Sequence, residues 1–170
     1  DHVAGKLNNV SIQFSEFLAE YKSKEDQKVA SNKYQFRGLF FVAEFDRNFS
    51  TNVVLSTVGV PFPEGEEDYE IGNSLFDKLF YIRIAKGKED IKNTLTQAVI
   101  NSLLEIQHDI HNEFMLSFVG NKVYFAVYHD EDLFEPTIFQ SMMNYDKIKG
   151  YFDDLFFPIV FLEGLTKEHN

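Results

Sequence analysis

Residues 114–128 read FMLSFVGNKVYFAVY, and this stretch decides the fold that we expect for the chain. Two β-rich runs, Phe114–Val119 and Lys122–Tyr128, flank Gly120 and Asn121. A two-residue loop that contains glycine between such runs is typical of a tight β-hairpin. Apolar side chains occupy both alternating sets of positions in the two runs. We therefore expect the hairpin to lie at the centre of a sheet, with other elements packed on each face.

Further strands are expected on the N-terminal side of this hairpin. Val10, Ile12 and Phe14 alternate with polar residues, as in a half-buried strand. Residues 34–45 (YQFRGLFFVAEF) are apolar at consecutive positions, which predicts a strand that is covered on both faces. Gly38 lies inside this run and predicts a bulge or a close approach of two backbones.

The segments between these strands and the first long helix are shorter and less regular. Residues 53–60 are rich in β-branched residues and predict a strand. Residues 22–33 and 61–72 are polar or turn-rich and are expected to be loops. A short helix over residues 74–80 and a short strand over 81–85 are expected to follow.

Two main helices are predicted, over residues 89–110 and 146–165. The first has one apolar face with a period of 3.6 residues, made by Ile91, Leu95, Ala98, Val99, Leu103, Ile106 and Ile110. Pro158 lies inside the second helix and predicts a kink or break near Phe157. The stripe expected to face the core in this helix consists of Tyr151, Phe152, Leu155, Phe156, Ile159 and Leu162. Phe157 and Phe161 lie off its centre and, where exposed, would form a patch for a partner.

The order of strands, a long helix, a hairpin and a closing helix is not a regular βαβ alternation. It predicts an α+β fold in which two main helices pack on an antiparallel or mixed sheet of about five or six strands, with the hairpin in the centre. The chain has 170 residues, so we expect one soluble domain over residues 1–170. Its 19 Phe and 8 Tyr residues are sufficient for a large aromatic core.

The composition also excludes some functions. A net charge of −11, without a stripe of Lys and Arg, argues against nucleic acid as a partner. The acidic residues concentrate in residues 64–70 (EGEEDYE) and 129–135 (HDEDLFE), which are expected to be solvated loops or, alternatively, a surface for a cation or a basic partner. The chain has no Cys, which excludes disulfides and thiolate nucleophiles.

Candidate chemistry is sparse. His108 and His111 follow Glu105 at three-residue spacing on the predicted long helix, and His129 and Asp130 begin the second acidic run. These four His and Asp residues are the metal-ligand candidates, although a protein metal site needs three or four ligands and supporting contacts. The EF-hand, nucleophile-elbow and phosphate-loop patterns are absent from the sequence, so we assign no catalytic residue and expect no cofactor.

Several segments in order along the chain resemble the bacterial domain-of-unknown-function family numbered 3137. The most specific is the run F-x-G-L-F-F-V-A-x-F, which begins at Phe36. The others are residues 2–6 (HVAGK), 12–21 (IQFSEFLAEY), 76–80 (FDKLF), 114–128 and 134–136 (FEP). The residues of these motifs, whose role is unknown, include Ser15, Glu16, Gly38, Phe40, Phe45, Phe134, Glu135 and Pro136.

The resemblance implies a setting and no activity. Family members look like membrane proteins with hydrophobic helices before a domain of this kind, so we expect this chain to be part of a longer protein at the cytoplasmic face of the bacterial inner membrane. Our first hypothesis is a non-catalytic interaction or sensing domain whose partner is another protein or the remainder of its own chain. The alternatives are a metal-dependent enzyme that uses His108, His111 or His129, and a domain that binds a lipid or another apolar ligand in its Phe-rich interior.

Overall fold

The computed structural model describes residues 2–21, 34–59, 65–85, 91–109, 112–129 and 145–167. These residues form one antiparallel sheet of eight strands, in the order β1-β2-β3-β8-β7-β4-β6-β5, together with three helices. The elements in chain order are β1 (His2–Leu7), β2 (Val10–Tyr21), β3 (Tyr34–Glu44), β4 (Val53–Ser56), β5 (Glu66–Tyr69), α1 (Ser74–Leu79), β6 (Tyr81–Ala85), α2 (Gln97–Asp109), β7 (Phe114–Val119), β8 (Lys122–Tyr128) and α3 (Tyr145–Lys167). The α+β class and the antiparallel sheet are confirmed.

The expected number of five or six strands is wrong because two short strands at the sheet edges escaped the sequence patterns. β1 joins β2 through Asn8 and Asn9, which both have positive φ and form a two-residue turn that asparagine tolerates. β5 lies within the acidic segment 64–70 that was expected to be a loop. It pairs with β6, and the Arg83 Nε lies 2.6 Å from Asp68 Oδ1 across that pair.

The central position of the β7–β8 hairpin is confirmed. Its turn at Gly120 and Asn121 is held by the loop that follows β3: the Phe45 N–H donates to the Asn121 carbonyl oxygen at 2.9 Å, and the Phe49 N–H donates to the Gly120 carbonyl oxygen at 2.7 Å. The Asn121 side-chain amide donates back to the Phe45 carbonyl oxygen at 3.1 Å. These bonds satisfy turn groups that the sheet ladder leaves unpaired.

The two long helices differ from their sequence predictions in specific ways. α2 begins at Gln97, not at residue 89, because the Thr96 hydroxyl accepts from the Val99 N–H at 3.3 Å in the manner of a helix N-cap. Thr94 is buried before this start, and its hydroxyl donates to the Thr51 carbonyl oxygen at 3.4 Å. Near Phe157 the sequence predicts a kink or break; α3 continues through Pro158, so there is no break. Packing of the following turn against the sheet offsets the cost of the missing N–H.

The core lies on one face of the sheet. In β7 and β8 the buried side chains alternate with half-exposed ones, and the described helices contribute their buried residues to the same core. On α3 the ring of Phe161 lies 6.5 Å from the rings of both Phe118 and Phe125. The expectation that described elements cover both faces of the hairpin is thus correct for one face only.

The close approach predicted at Gly38 is confirmed. Gly38 pairs with Tyr128 in β8 and has a φ of +155°, and a Cβ added there would lie 1.9 Å from the Val127 carbonyl oxygen. Any side chain at this position must push β3 away from β8.

We predict that Gly38→Ala lowers the free energy of unfolding by roughly 3 kcal/mol or more, because the added methyl group collides with backbone that cannot move alone. Gly5→Ala is the matched control, since a Cβ at Gly5 meets no atom within 4 Å. The control is expected to change the stability by less than about 0.5 kcal/mol. Chemical denaturation of both variants checks this, and equal stabilities would show that β3 and β8 are not in this contact.

The two faces of β8 predict a second contrast. Phe125 is 2% exposed, whereas its neighbour Tyr124 points to the other face and is half-buried. Phe125→Ala should cost roughly 3–5 kcal/mol of unfolding free energy, as expected for an aromatic residue in a core. Tyr124→Ala should cost only about 1 kcal/mol, mainly through its ring contacts. Urea titrations distinguish the two, and a larger loss for Tyr124→Ala would place the core on the wrong face.

Candidate functional site

The face of the sheet opposite the core carries a continuous set of apolar side chains, which we call the open face. The strand register places these side chains on the same side of five neighbouring strands. Its apolar members are Phe17 from β2, Phe36, Phe40 and Val42 from β3, Tyr124 and Tyr128 from β8, Met115 and Val119 from β7, and Val54 from β4.

Aromatic rings form the centre of the open face. The ring centroids of Phe17 and Phe40 lie 5.9 Å apart, and those of Phe40 and Tyr124 lie 6.1 Å apart. Phe36 and Tyr128 meet edge to face at 6.4 Å. Cross-strand aromatic pairs at these distances stabilise a sheet and hold their rings in fixed positions. The open face is therefore a preformed aromatic surface across β2, β3 and β8.

The rings of the open face reach solvent. Phe17 is 48% exposed and Tyr128 is 38% exposed, whereas Phe41, on the core face of β3, is 2% exposed. Phe40 and Tyr124 are half-buried, and their rings are neighbours. Contiguous exposed apolar patches are uncommon on proteins and mark interaction surfaces.

The charges around this surface balance. Among the described residues of its five strands, one side chain on the open face is cationic (Lys122) and one is a carboxylate (Glu44). Lys122 Nζ lies 3.6 Å from Glu44 Oε2, so one pair closes the end of the β3–β8 contact.

Part of the family motif lies at this site. Ser15 and Phe40 are directly opposite each other in β2 and β3, and Gly38 is opposite Phe17. Glu16, next to Ser15, pairs with Leu39 and points to the core side. Phe45 is buried beyond β3, where its ring centroid lies 5.5 Å from that of Phe49. Phe134, Glu135 and Pro136 lie outside the described residues.

Of the four metal-ligand candidates, His108 and His129 lie in the described residues. His108 is exposed near the C-terminal end of α2, and His129 follows β8, where its backbone N–H donates to the Arg37 carbonyl oxygen at 2.8 Å. Within the described ranges, no three His, Asp or Glu side chains are grouped so that they could hold an ion. His111 and Asp130 lie outside those ranges, as do residues 130–135 of the second acidic segment.

α3 presents a different apolar patch from the one that the sequence predicted. Phe156 is 61% exposed and Val160 is 45% exposed, whereas Phe161, expected off the core stripe, is 2% exposed. The helix is rotated so that Phe161, Leu162 and Leu165 face the core. Between α2 and α3 lies a groove of about 290 Å³, lined by Ser102, Glu105, Ile106, Phe156, Phe157, Val160 and Phe161.

The sequence signal for the open face was the apolar character of both alternating sets of positions in residues 34–45 and 114–128. That signal predicts a covered second face, and among the described residues this face is only partly buried. Alternation alone does not tell which face receives the helices, so the sequence does not identify Phe17 and Tyr128 as exposed.

Comparison with known proteins gives a family and no activity. The sequence model of the family described as protein of unknown function (DUF3137) matches residues 34–167. No curated protein and no solved structure matches the chain. No helix in the described part of the chain is long and apolar enough to cross a membrane. The match runs from β3 to the end of α3 and covers most of the chain, and the chain therefore belongs to the DUF3137 family.

Proposed function

We propose that this chain is a non-catalytic interaction domain of a bacterial membrane protein and that it binds a protein partner through the open face. The observation that carries this proposal is the aromatic cluster on the open face, in which Phe17 and Tyr128 are exposed and Phe40 and Tyr124 are half-buried. Aromatic residues are enriched at the centres of protein interfaces, where each supplies a large contact area at a small cost in conformational entropy.

Burial of this surface by a partner has a favourable free energy. Burial of apolar surface is worth about 25 cal/mol per Å², and an aromatic side chain can bury roughly 150–250 Å². The rings are already held by cross-strand contacts, so binding orders few additional side chains. Tyr124 and Tyr128 each add a hydroxyl group that can form a hydrogen bond with a partner.

The open face also defines the kind of partner. Its cationic and acidic side chains are equal in number, so a strongly charged partner gains no net attraction there. The same sheet already accepts amphipathic helices on its core face, where α2 and α3 pack. We therefore expect the partner to present the apolar face of an amphipathic helix. This helix belongs either to another protein or to another segment of the full-length chain.

The setting at the cytoplasmic face of the inner membrane is part of the proposal and is supported by the family resemblance alone. A domain at that location would be within reach of the cytoplasmic segments of its own chain and of other membrane proteins. Sensing, in this proposal, is the change in occupancy of the open face.

Site-specific photo-crosslinking in the full-length protein tests the proposal. A photoreactive phenylalanine analogue at position 17 or 124 should give one defined adduct in cells, because both positions contact the bound helix. The control position is Leu75, which is 55% exposed on α1 and lies outside the open face. Mass spectrometry of the adduct identifies the crosslinked segment and shows whether it comes from the same chain.

A substitution on the open face tests whether formation of the adduct depends on this surface. Val119→Lys adds a charge at the rim of the open face, at a position that is 41% exposed, so the fold should tolerate it. This variant should lower the yield of the adduct several-fold. Equal adducts at positions 17, 124 and 75, or none at 17 and 124, would contradict the proposal.

A further inference from the structure

β1 forms one edge of the sheet and lies outside the five strands that make up the open face. β1 is the first strand in the sheet order, and in the described part of the chain no strand pairs with its outer side. Residues 2–6 are exposed, and Val3 is 48% exposed. An edge of this kind presents unpaired backbone groups to which a further strand can be added.

The turn at Asn8 and Asn9 fixes which backbone groups point outward. In a two-residue turn with positive φ at both positions, the flanking residues Leu7 and Val10 exchange hydrogen bonds. Hydrogen-bonded and non-hydrogen-bonded pairs alternate along an antiparallel ladder. The N–H and C=O groups of His2, Ala4 and Lys6 therefore point away from β2 and are directed at an incoming strand.

An apolar groove lies beside this edge on the core side of the sheet. It has a volume of about 200 Å³ and is lined by Val3, Leu7, Ile12, Phe14 and Ile159, among others. Gly5 also lines the groove, and a Cβ added at Gly5 meets no atom within 4 Å. Alternate residues of an added strand would point to this side of the sheet. Their apolar side chains can therefore enter the groove.

The charge of the edge is opposite to the charge of the chain. Lys6 is a cation, and His2 lies on the same face of β1, in a chain with a net charge of −11. The edge strand at the other end of the sheet, β5, carries carboxylates at Glu66, Glu67 and Asp68, which discourage pairing with an acidic segment. Antiparallel pairing of two β1 edges around Ala4 would place Lys6 opposite the His2 of a second copy, which is not a favourable cross-strand pair.

We propose that β1 is a strand-addition site for an extended peptide segment that alternates apolar and acidic residues. The apolar side chains enter the groove beside Gly5, and the acidic side chains lie next to Lys6 and His2. The backbone groups of His2, Ala4 and Lys6 supply the hydrogen bonds, as in other complexes formed by β-augmentation. Binding of this segment to β1 does not require a partner on the open face.

The test uses the full-length protein and a fluorescent seven-residue peptide in which valine and glutamate alternate. Fluorescence anisotropy should show saturable binding. A peptide with the same composition but with its valines and glutamates in separate blocks should bind at least roughly tenfold more weakly, and so should a peptide with lysine in place of glutamate.

Three variants distinguish strand addition from nonspecific binding of the peptide. Ala4→Pro removes an outward N–H, and Gly5→Val fills the groove at a position with open space, so it should keep the fold even where Ala4→Pro does not. Each should weaken binding of the alternating peptide by roughly tenfold or more. Lys6→Glu should reverse the preference so that the lysine peptide binds more tightly than the glutamate peptide.

Three results would overturn the proposal. Binding that is unchanged in Gly5→Val would show that the groove is not used. A lysine on an edge strand also opposes pairing with other chains. An unchanged peptide preference in Lys6→Glu would show that Lys6 has only this role. Finally, self-association in sedimentation that is lost in Gly5→Val, together with no binding of the peptide, would show that the occupant is a second copy.

Discussion

The pairing of β3 with β8 is the contact on which the rest of the structure depends. It joins β1, β2 and β3 to the other five strands, and in the described residues no other strand pair connects the two groups. Both of its ends are fixed by backbone bonds: the His129 N–H donates to Arg37 at one end, and the Phe45 N–H donates to Asn121 at the other. The missing side chain at Gly38 lets the Val127 carbonyl approach. Because the partners are far apart in sequence, this contact must offset a large loss of chain entropy.

The same pairing creates two faces of the sheet that differ in burial. On one face, Phe41, Phe114 and Phe125 lie under the helices and supply the burial that offsets the entropy. On the other face, Phe40 and Tyr124 face each other across the same strand pair and remain accessible. The aromatic residues of this chain therefore serve both as a core and as a surface.

The sequence predicted the features that depend on local pattern and missed those that depend on tertiary contact. The hairpin at Gly120 and Asn121 was predictable because its turn residues and β-rich runs are adjacent in sequence. β5 was missed because its carboxylates resemble a solvated loop, and its pairing with β6 is visible only in three dimensions. The start of α2 depends on the cap at Thr96, and the rotation of α3 depends on how Phe161 packs against Phe118 and Phe125. The apolar residues of the open face were visible in the sequence, but their exposure could not be predicted without knowing which face the helices cover.

The account is tested most directly by solvent accessibility along β8, measured by NMR in the presence of a soluble gadolinium chelate. The account predicts that the side-chain signals of Tyr124, Ala126 and Tyr128 lose intensity, while those of Val123, Phe125 and Val127 are protected by the core. Protein with its partner bound should lose the attenuation at Tyr124 and keep the protection at Phe125. Equal protection of both sets in the isolated chain would contradict the account, because it would mean that β8 is covered on both faces without a partner.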